Sequence, residues 1–284
     1  MSKIRRSESG AQLIARLGRK PDLHGIDPVL FTSSIPPGNI IELFGKGGCG
    51  KTEILLHWIA NCILPVKWQG IELGGCNIDV LFIDNDWHFS ILRLVNVIEC
   101  CINHKIRNHL TNENSVSVDV ESIIKFSLQH LYVERCHDSL EFLISLEMLE
   151  TLLGNKPNIA VIMVDSISAF YWMDRNNFNE TKVEHLMGVL QKVVNDYQIV
   201  AFLTNSWTNV NHKDVPQMED AVDTPKFSNK FDPIYRVWQK LATQSYHMWK
   251  EKTGQTHGIR LYHPHTSNAL CKLCISDSGV EYSK

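Results

Sequence analysis

The stretch from Ile40 to Leu64 constrains this chain more than any other. An apolar run (Ile40, Ile41, Leu43, Phe44) reads as a strand, Gly45-Lys46-Gly47-Gly48-Cys49-Gly50 as a tight turn, and Lys51-Thr52 as the opening of a helix. This is the phosphate-binding loop G-x-x-x-x-G-K-[ST] in its required strand, loop, helix setting. Its glycines let the loop turn tightly and aim successive backbone N–H groups inward, forming an anion-binding nest at a helix N-terminus. Lys51 is expected to reach the β- and γ-phosphates, and the Thr52 hydroxyl to hold a Mg²⁺ that bridges them. ATP and Mg²⁺ are therefore the expected cofactors, with Gly45, Lys46, Gly47, Gly48, Cys49, Gly50, Lys51 and Thr52 as the binding residues.

The second landmark is Ile159-Ala160-Val161-Ile162-Met163-Val164-Asp165, an apolar strand ending in an acid. Beside a phosphate-binding loop this has the Walker B form, in which Asp165 orders the Mg²⁺ shell through Thr52 or a water. Further apolar runs at Val80–Ile83, Leu131–Arg135 and Ile199–Asn205 alternate with helical patterns. Those patterns span Lys51–Leu64, Phe89–Cys101, Ser122–Leu128, Asp138–Leu153 and Val183–Val194. Alternation of this kind predicts an α/β fold with a mostly parallel sheet covered on both faces. Asp84-Asn85-Asp86 then falls at the C-terminal end of its strand, the edge where such sheets bind ligands. Asn103 to Asp119 is expected to be a surface loop, Gly70 to Asn77 a turn-rich connector, and Pro233 to Met248 a helix.

The 284 residues are 44% hydrophobic and 21% charged, which suits one sizeable core. A net charge of −3 supplies no global basic field, so tight unaided binding to DNA is not expected. No run approaches a membrane span, and the basic start Lys3, Arg5, Arg6 leads into no apolar signal core. The eight cysteines are expected to be reduced thiols in the nucleus or cytosol. Near the end, His257, His263, His265, Cys271 and Cys274 offer metal-ligand spacing. The plainer reading there is a hairpin, Gly258–Tyr262 with Ala269–Ile275, which sends Cys271 and Cys274 to opposite faces and opposes shared ligation.

The succession of Gly45 to Thr52, Val80 to Phe89, Ile162 to Arg175 and Val194 to Ile199 resembles the RecA-type recombinase core, and more narrowly the recombinase paralogues. The likeness runs from about Ser7 to Tyr282, and the segment after Asp165 is its most specific part. The resemblance implies a RecA-like P-loop ATPase core, with a C-terminal β-hairpin. It also implies a nuclear role in homologous recombination within a complex of recombinase paralogues, at damaged or stalled DNA. Residues 1–39 are then a short N-terminal helical extension, and 40–284 the core with a flexible loop at about 207–230.

Departures from an active ATPase alter the expected mechanism. Asp86 stands where the family carries the Glu that aligns the attacking water, one methylene short, and Ser206 stands where it carries a γ-phosphate-sensing Gln. Misplacement of about 1 Å can cost 10²-fold, so nucleotide binding with slow or no hydrolysis is expected. The loops that in the family hold DNA, here Trp172–Thr181 and Trp207–Lys230, carry few cations against several acids, so DNA is expected to be met mainly through the complex. About forty residues precede the loop, too few for the family's helical domain and linker strand, which predicts a terminal subunit that receives a partner's strand. The competing expectation is a working P-loop enzyme, either a DNA-stimulated ATPase or a small-molecule phosphotransferase.

Overall fold

The computed structural model describes residues 9, 10, 13, 18, 20–109, 119–170, 180–206, 240–253, 256–262 and 269–283. Strands β1 (Ile40–Gly45), β4 (Asp79–Asp84), β5 (Leu131–Arg135), β6 (Ile159–Asp165), β7 (Val200–Ser206) and β8 (Gln244–Thr253) run parallel. Strands β9 (Thr256–Tyr262), β10 (Ala269–Ser276) and β11 (Gly279–Ser283) continue the same sheet in antiparallel fashion. The order across this 9-stranded sheet is β11-β10-β9-β8-β1-β7-β6-β4-β5. A small separate ribbon pairs β2 (Lys67–Trp68) with β3 (Ile71–Glu72), within the expected connector region.

The parallel strands read as continuous apolar runs because both of their faces are covered. One face packs on α1 (Lys51–Ile63), α2 (Ile91–His109) and α3 (Val120–Leu128), around fully buried Trp58, Ile59, Phe82 and Phe202. The other packs on α4 (Ser139–Asn155) and α5 (Glu180–Tyr197), around Leu146, Leu149, Leu190 and Val194. Caps separate the helices by role. Asp119 caps α3 through the Ser122 amide at 3.2 Å, and Asp138 caps α4 through the Leu140 and Glu141 amides at 2.9 and 2.8 Å. Helix α1 has no side-chain cap; it begins at Gly50, whose φ of 80° is left-handed, so the amides of its first turn stay available to a ligand.

Two expectations are corrected. Asn103 to His109 is not loop but the continuation of α2, because Ile102 and Ile106 extend the stripe of Leu94, Val97 and Ile98 that packs on the core. The expected helix over Pro233 to Met248 gives way, from Gln244 onward, to strand β8. Tyr246 and Met248 are buried two residues apart, as the strand period requires, and β8 pairs in parallel register with β1. The hairpin of β9 and β10 has Leu273 opposite Ile259 and a bulge between Ala269 and Cys271. Cys271 packs against the core, with burial pushing its thiol up to about 11, whereas Cys274 is exposed. Among the described residues no group of three or more His, Cys, Asp and Glu side chains could hold a metal ion. His263 and His265 lie outside the described residues, as do most of the expected N-terminal helix and the loop at 207–230.

The described residues 20–39, just ahead of β1, fold back on the core. Leu23 bridges Ile35, and Leu23, Ile26 and Ile35 are buried. Asp27, fully buried, accepts from the Val29 and Leu30 amides, from Trp58 Nε1 at 2.9 Å and from the Tyr282 hydroxyl, so one carboxylate ties the segment to α1 and β11. Among the described residues no helix is long and apolar enough to cross a membrane.

Candidate nucleotide site

The phosphate-binding loop leaves β1 between its two parallel neighbours. Gly45 must be glycine, since a Cβ there would lie 2.7 Å from the Met248 carbonyl oxygen of β8. Gly48 and Gly50 have left-handed φ of 77° and 80°, and a Cβ on Gly47 or Gly48 would meet nothing within 4 Å. Beside Gly47 and Gly48 the loop therefore has open space, which leaves room for a ligand at its backbone. Lys51 is buried, and its ammonium donates to the carbonyls of Gly45 at 2.9 Å and Lys46 at 3.2 Å. Burial lowers its pKa, and the negative charges of Asp165 and Asp86 work against that shift.

Thr52 Oγ1 donates to Asp165 Oδ2 at 2.7 Å, and Thr204 Oγ1 donates to Asp165 Oδ1. Desolvation raises the Asp165 pKa, partly offset by these two hydroxyls. The strand register sets Asp84 beside Asp165, and there Asp84 accepts from the His88 and Phe89 amides and lies 3.4 Å from Arg135 Nε. Lys51, Thr52 and Asp165 are thus brought together at the C-terminal edge of the sheet.

Asp86 lies on a backbone that is held firmly. The Asn85 and Asp86 amides donate to the Asp165 carbonyl at 2.7 and 3.1 Å, Asn85 Nδ2 donates to the Ser166 carbonyl, and Trp87 Nε1 donates to the Cys136 carbonyl. The half-buried Asp86 carboxylate accepts no hydrogen bond from the described residues. Ser206 pairs with Gly45 across β7 and β1, and its amide donates to Ser168 Oγ at 2.9 Å.

Sequence reasoning missed Thr204, which no spacing rule connects to Asp165. It also missed Glu42, whose buried carboxylate accepts from Asn205 Nδ2 at 2.9 Å and Ser245 Oγ at 2.8 Å and so links β1 to both neighbours. The signal for Glu42 was present: a charged residue inside an apolar strand.

Residues 24–281 match the Rad51 family. The chain belongs to the Rad51 family. The DNA repair protein XRCC2 of Mus musculus is 32% identical over 300 residues, covering 99% of this chain and 99% of its own. The XRCC2 homolog of Arabidopsis thaliana is 31% identical over 196 residues, 61% of this chain and 51% of its own. The DNA repair protein RAD51 homolog 3 of Cricetulus griseus is 25% identical over 180 residues, 61% of this chain and 47% of its own. The crystal structure of the RadB recombinase superposes with a TM-score of 0.60 at 17% identity, covering 92% of this chain and 100% of that one, which speaks to the fold alone. This Rad51-family chain is a RecA-type recombinase paralogue with a P-loop nucleotide-binding fold, as the sequence resemblance implied.

Proposed function

We propose that this chain is a nucleotide-binding, non-motor subunit of a recombinase-paralogue complex that serves homologous recombination repair of DNA double-strand breaks and stalled forks in the nucleus. What carries the reading is the contrast between a complete phosphate cradle and an incompletely furnished catalytic edge. The open backbone at Gly47 and Gly48, the uncapped start of α1 and the buried Lys51 suit the phosphates of ATP. Thr52, with Asp165 behind it, suits Mg²⁺, which when bound would screen the charge of the phosphates. Because hydrogen bonds to the Asp165 carbonyl pin the Asp86 backbone, the loop has little freedom to make up for a side chain one methylene short. Ser206 is likewise too short to replace a Gln. The nucleotide then stabilises the subunit and its interface instead of driving turnover.

Among the described residues strand β5 ends the sheet order, an edge where a partner's extended strand could add. Within it Val133 is 42% exposed, and Leu140, Ile144 and Met148 of α4, spaced four apart on one face, are 62, 53 and 54% exposed. The described residues 20–39 ahead of β1 pack on this chain's own core, which supports a terminal subunit that accepts a partner's strand. DNA is proposed to be reached mainly through the complex; most of the two candidate DNA loops lies outside the described residues. The test is the paired substitution Asp86→Glu with Ser206→Gln in the complex. A marked gain of ATPase is expected; rapid turnover in the unaltered chain, equal to that of the double variant, would overturn the reading.

A further inference from the structure

Arg93, on the first turn of α2, uses its whole guanidinium. Nε and Nη2 donate to Glu53 Oε2 at 3.0 and 2.8 Å, Nη2 also donates to the Ser276 carbonyl at 2.7 Å, and Nη1 donates to the Asp277 carbonyl at 2.6 Å. Glu53 follows Thr52 directly in α1, Ser276 ends β10, and Asp277 opens the turn into β11. One side chain thus joins the start of the phosphate-binding helix to the last turn of the sheet. A second contact lies alongside: a Cβ on Gly50 would collide with the Ile275 side chain and stand 3.2 Å from Ile259 Cδ1. Ile275, 36% exposed, therefore packs against the backbone of Gly50 at the end of the loop. The turn is itself set by Gly279 at φ 115°, over Val97 of α2, and by Ser276 and Ser278 hydroxyls donating to Glu281.

We propose that Arg93 is a positioning residue that clasps the β10–β11 turn onto the start of α1, making that turn a wall of the nucleotide site, so that docking of the turn and affinity for nucleotide rise and fall together. The inference rests on the nucleotide-binding reading above. A planar fork is needed because bonds in two directions leave one group, a geometry that a lysine ammonium does not reproduce. Glu53 neutralises the Arg93 charge, so the coupling works through the position of Ile275 and the loop and not through a field acting on the phosphates. Coupling of this kind is reciprocal: nucleotide must quieten the turn as much as the docked turn favours nucleotide.

The test is titration of the full chain with a fluorescent ATP analogue and Mg²⁺, with hydrogen exchange followed over residues 269–283. Arg93→Gln is expected to weaken binding about tenfold, equivalent to about 1.4 kcal/mol, with Arg93→Lys giving little rescue. Glu53→Gln and Ile275→Ala should move in the same direction, and the salt dependence of binding should be the same as in wild type. In wild type, nucleotide should slow exchange at the turn; in Arg93→Gln the turn should exchange fast with or without it. Circular dichroism identifies any variant that has not folded, in which case Ile275→Ala decides. Unchanged affinity in the folded variants, or a turn indifferent to nucleotide, overturns the clasp alone. Absence of binding by wild type would sink the nucleotide reading and the clasp with it.

Discussion

Thr52 Oγ1 donates a hydrogen bond of 2.7 Å to Asp165 Oδ2 across 113 positions of sequence, joining the first turn of α1 to the end of β6. If the pair forms the Mg²⁺ site, Thr52→Val should make nucleotide affinity the same with Mg²⁺ as with EDTA. The unpaired carboxylate oxygen left behind should also cost about 1–3 kcal/mol of stability. Parallel titrations with and without Mg²⁺, alongside urea unfolding, read both effects. A variant that keeps the full Mg²⁺ dependence would remove Thr52 from the metal site.

Glu42 gives a pH prediction of definite sign. Desolvation raises its folded pKa above the ordinary 4.5, with the Asn205 and Ser245 donors offsetting only part of the shift. The folded state therefore holds a proton that the unfolded state has released, and stability falls as pH rises from about 4.5 through the folded pKa. Asp165 adds a slope of the same sign, so the comparison is between variants. Glu42→Gln keeps an acceptor for Asn205 and should flatten the decline, leaving the variant at least as stable as wild type at neutral pH. Thermal melts at several pH values check this; a variant that loses stability more steeply than wild type would contradict it.

Asp27 is the junction of the N-terminal segment, α1 and β11. Asp27→Ala removes the acceptor for the Trp58 indole and the Tyr282 hydroxyl and should cost about 3 kcal/mol, since two buried donors lose their partner. A lowered unfolding midpoint should appear together with faster hydrogen exchange in β11. A loss below 1 kcal/mol would mean that water replaces the carboxylate readily.

The exposed face of α4 separates stability from assembly. Ile144→Asp lies on a solvent face, so its own stability should change by no more than about 0.5 kcal/mol. Capture of a recombinase-paralogue partner should nevertheless fall sharply in co-purification. Full capture by a folded Ile144→Asp chain would place the interface elsewhere.

The phosphate-binding loop and the strand ending at Asp165 were legible because each is a local pattern: fixed glycines, or an unbroken apolar run closed by an acid. Strand β8 was not, because its identity comes from lying beside β1. Gln244 to Met248 carries no hydrophobic run, and two apolar residues, Tyr246 and Met248, are too few to establish a period. Within the site, Lys51, Thr52 and Asp165 followed from their motifs. The supporting contacts Thr204 to Asp165, Asn205 to Glu42 and Arg93 to Glu53 join distant segments, and only the folded sheet brings them together.

The central claim is that nucleotide is held without being consumed. The most direct test purifies this chain in complex with a full-length recombinase paralogue, wild type against Lys51→Ala, and measures bound nucleotide, turnover and the fraction assembled. The account predicts bound ATP, negligible turnover, and an assembly weakened by Lys51→Ala. Rapid turnover that Lys51→Ala abolishes would contradict it and make Asp86 a working catalytic residue.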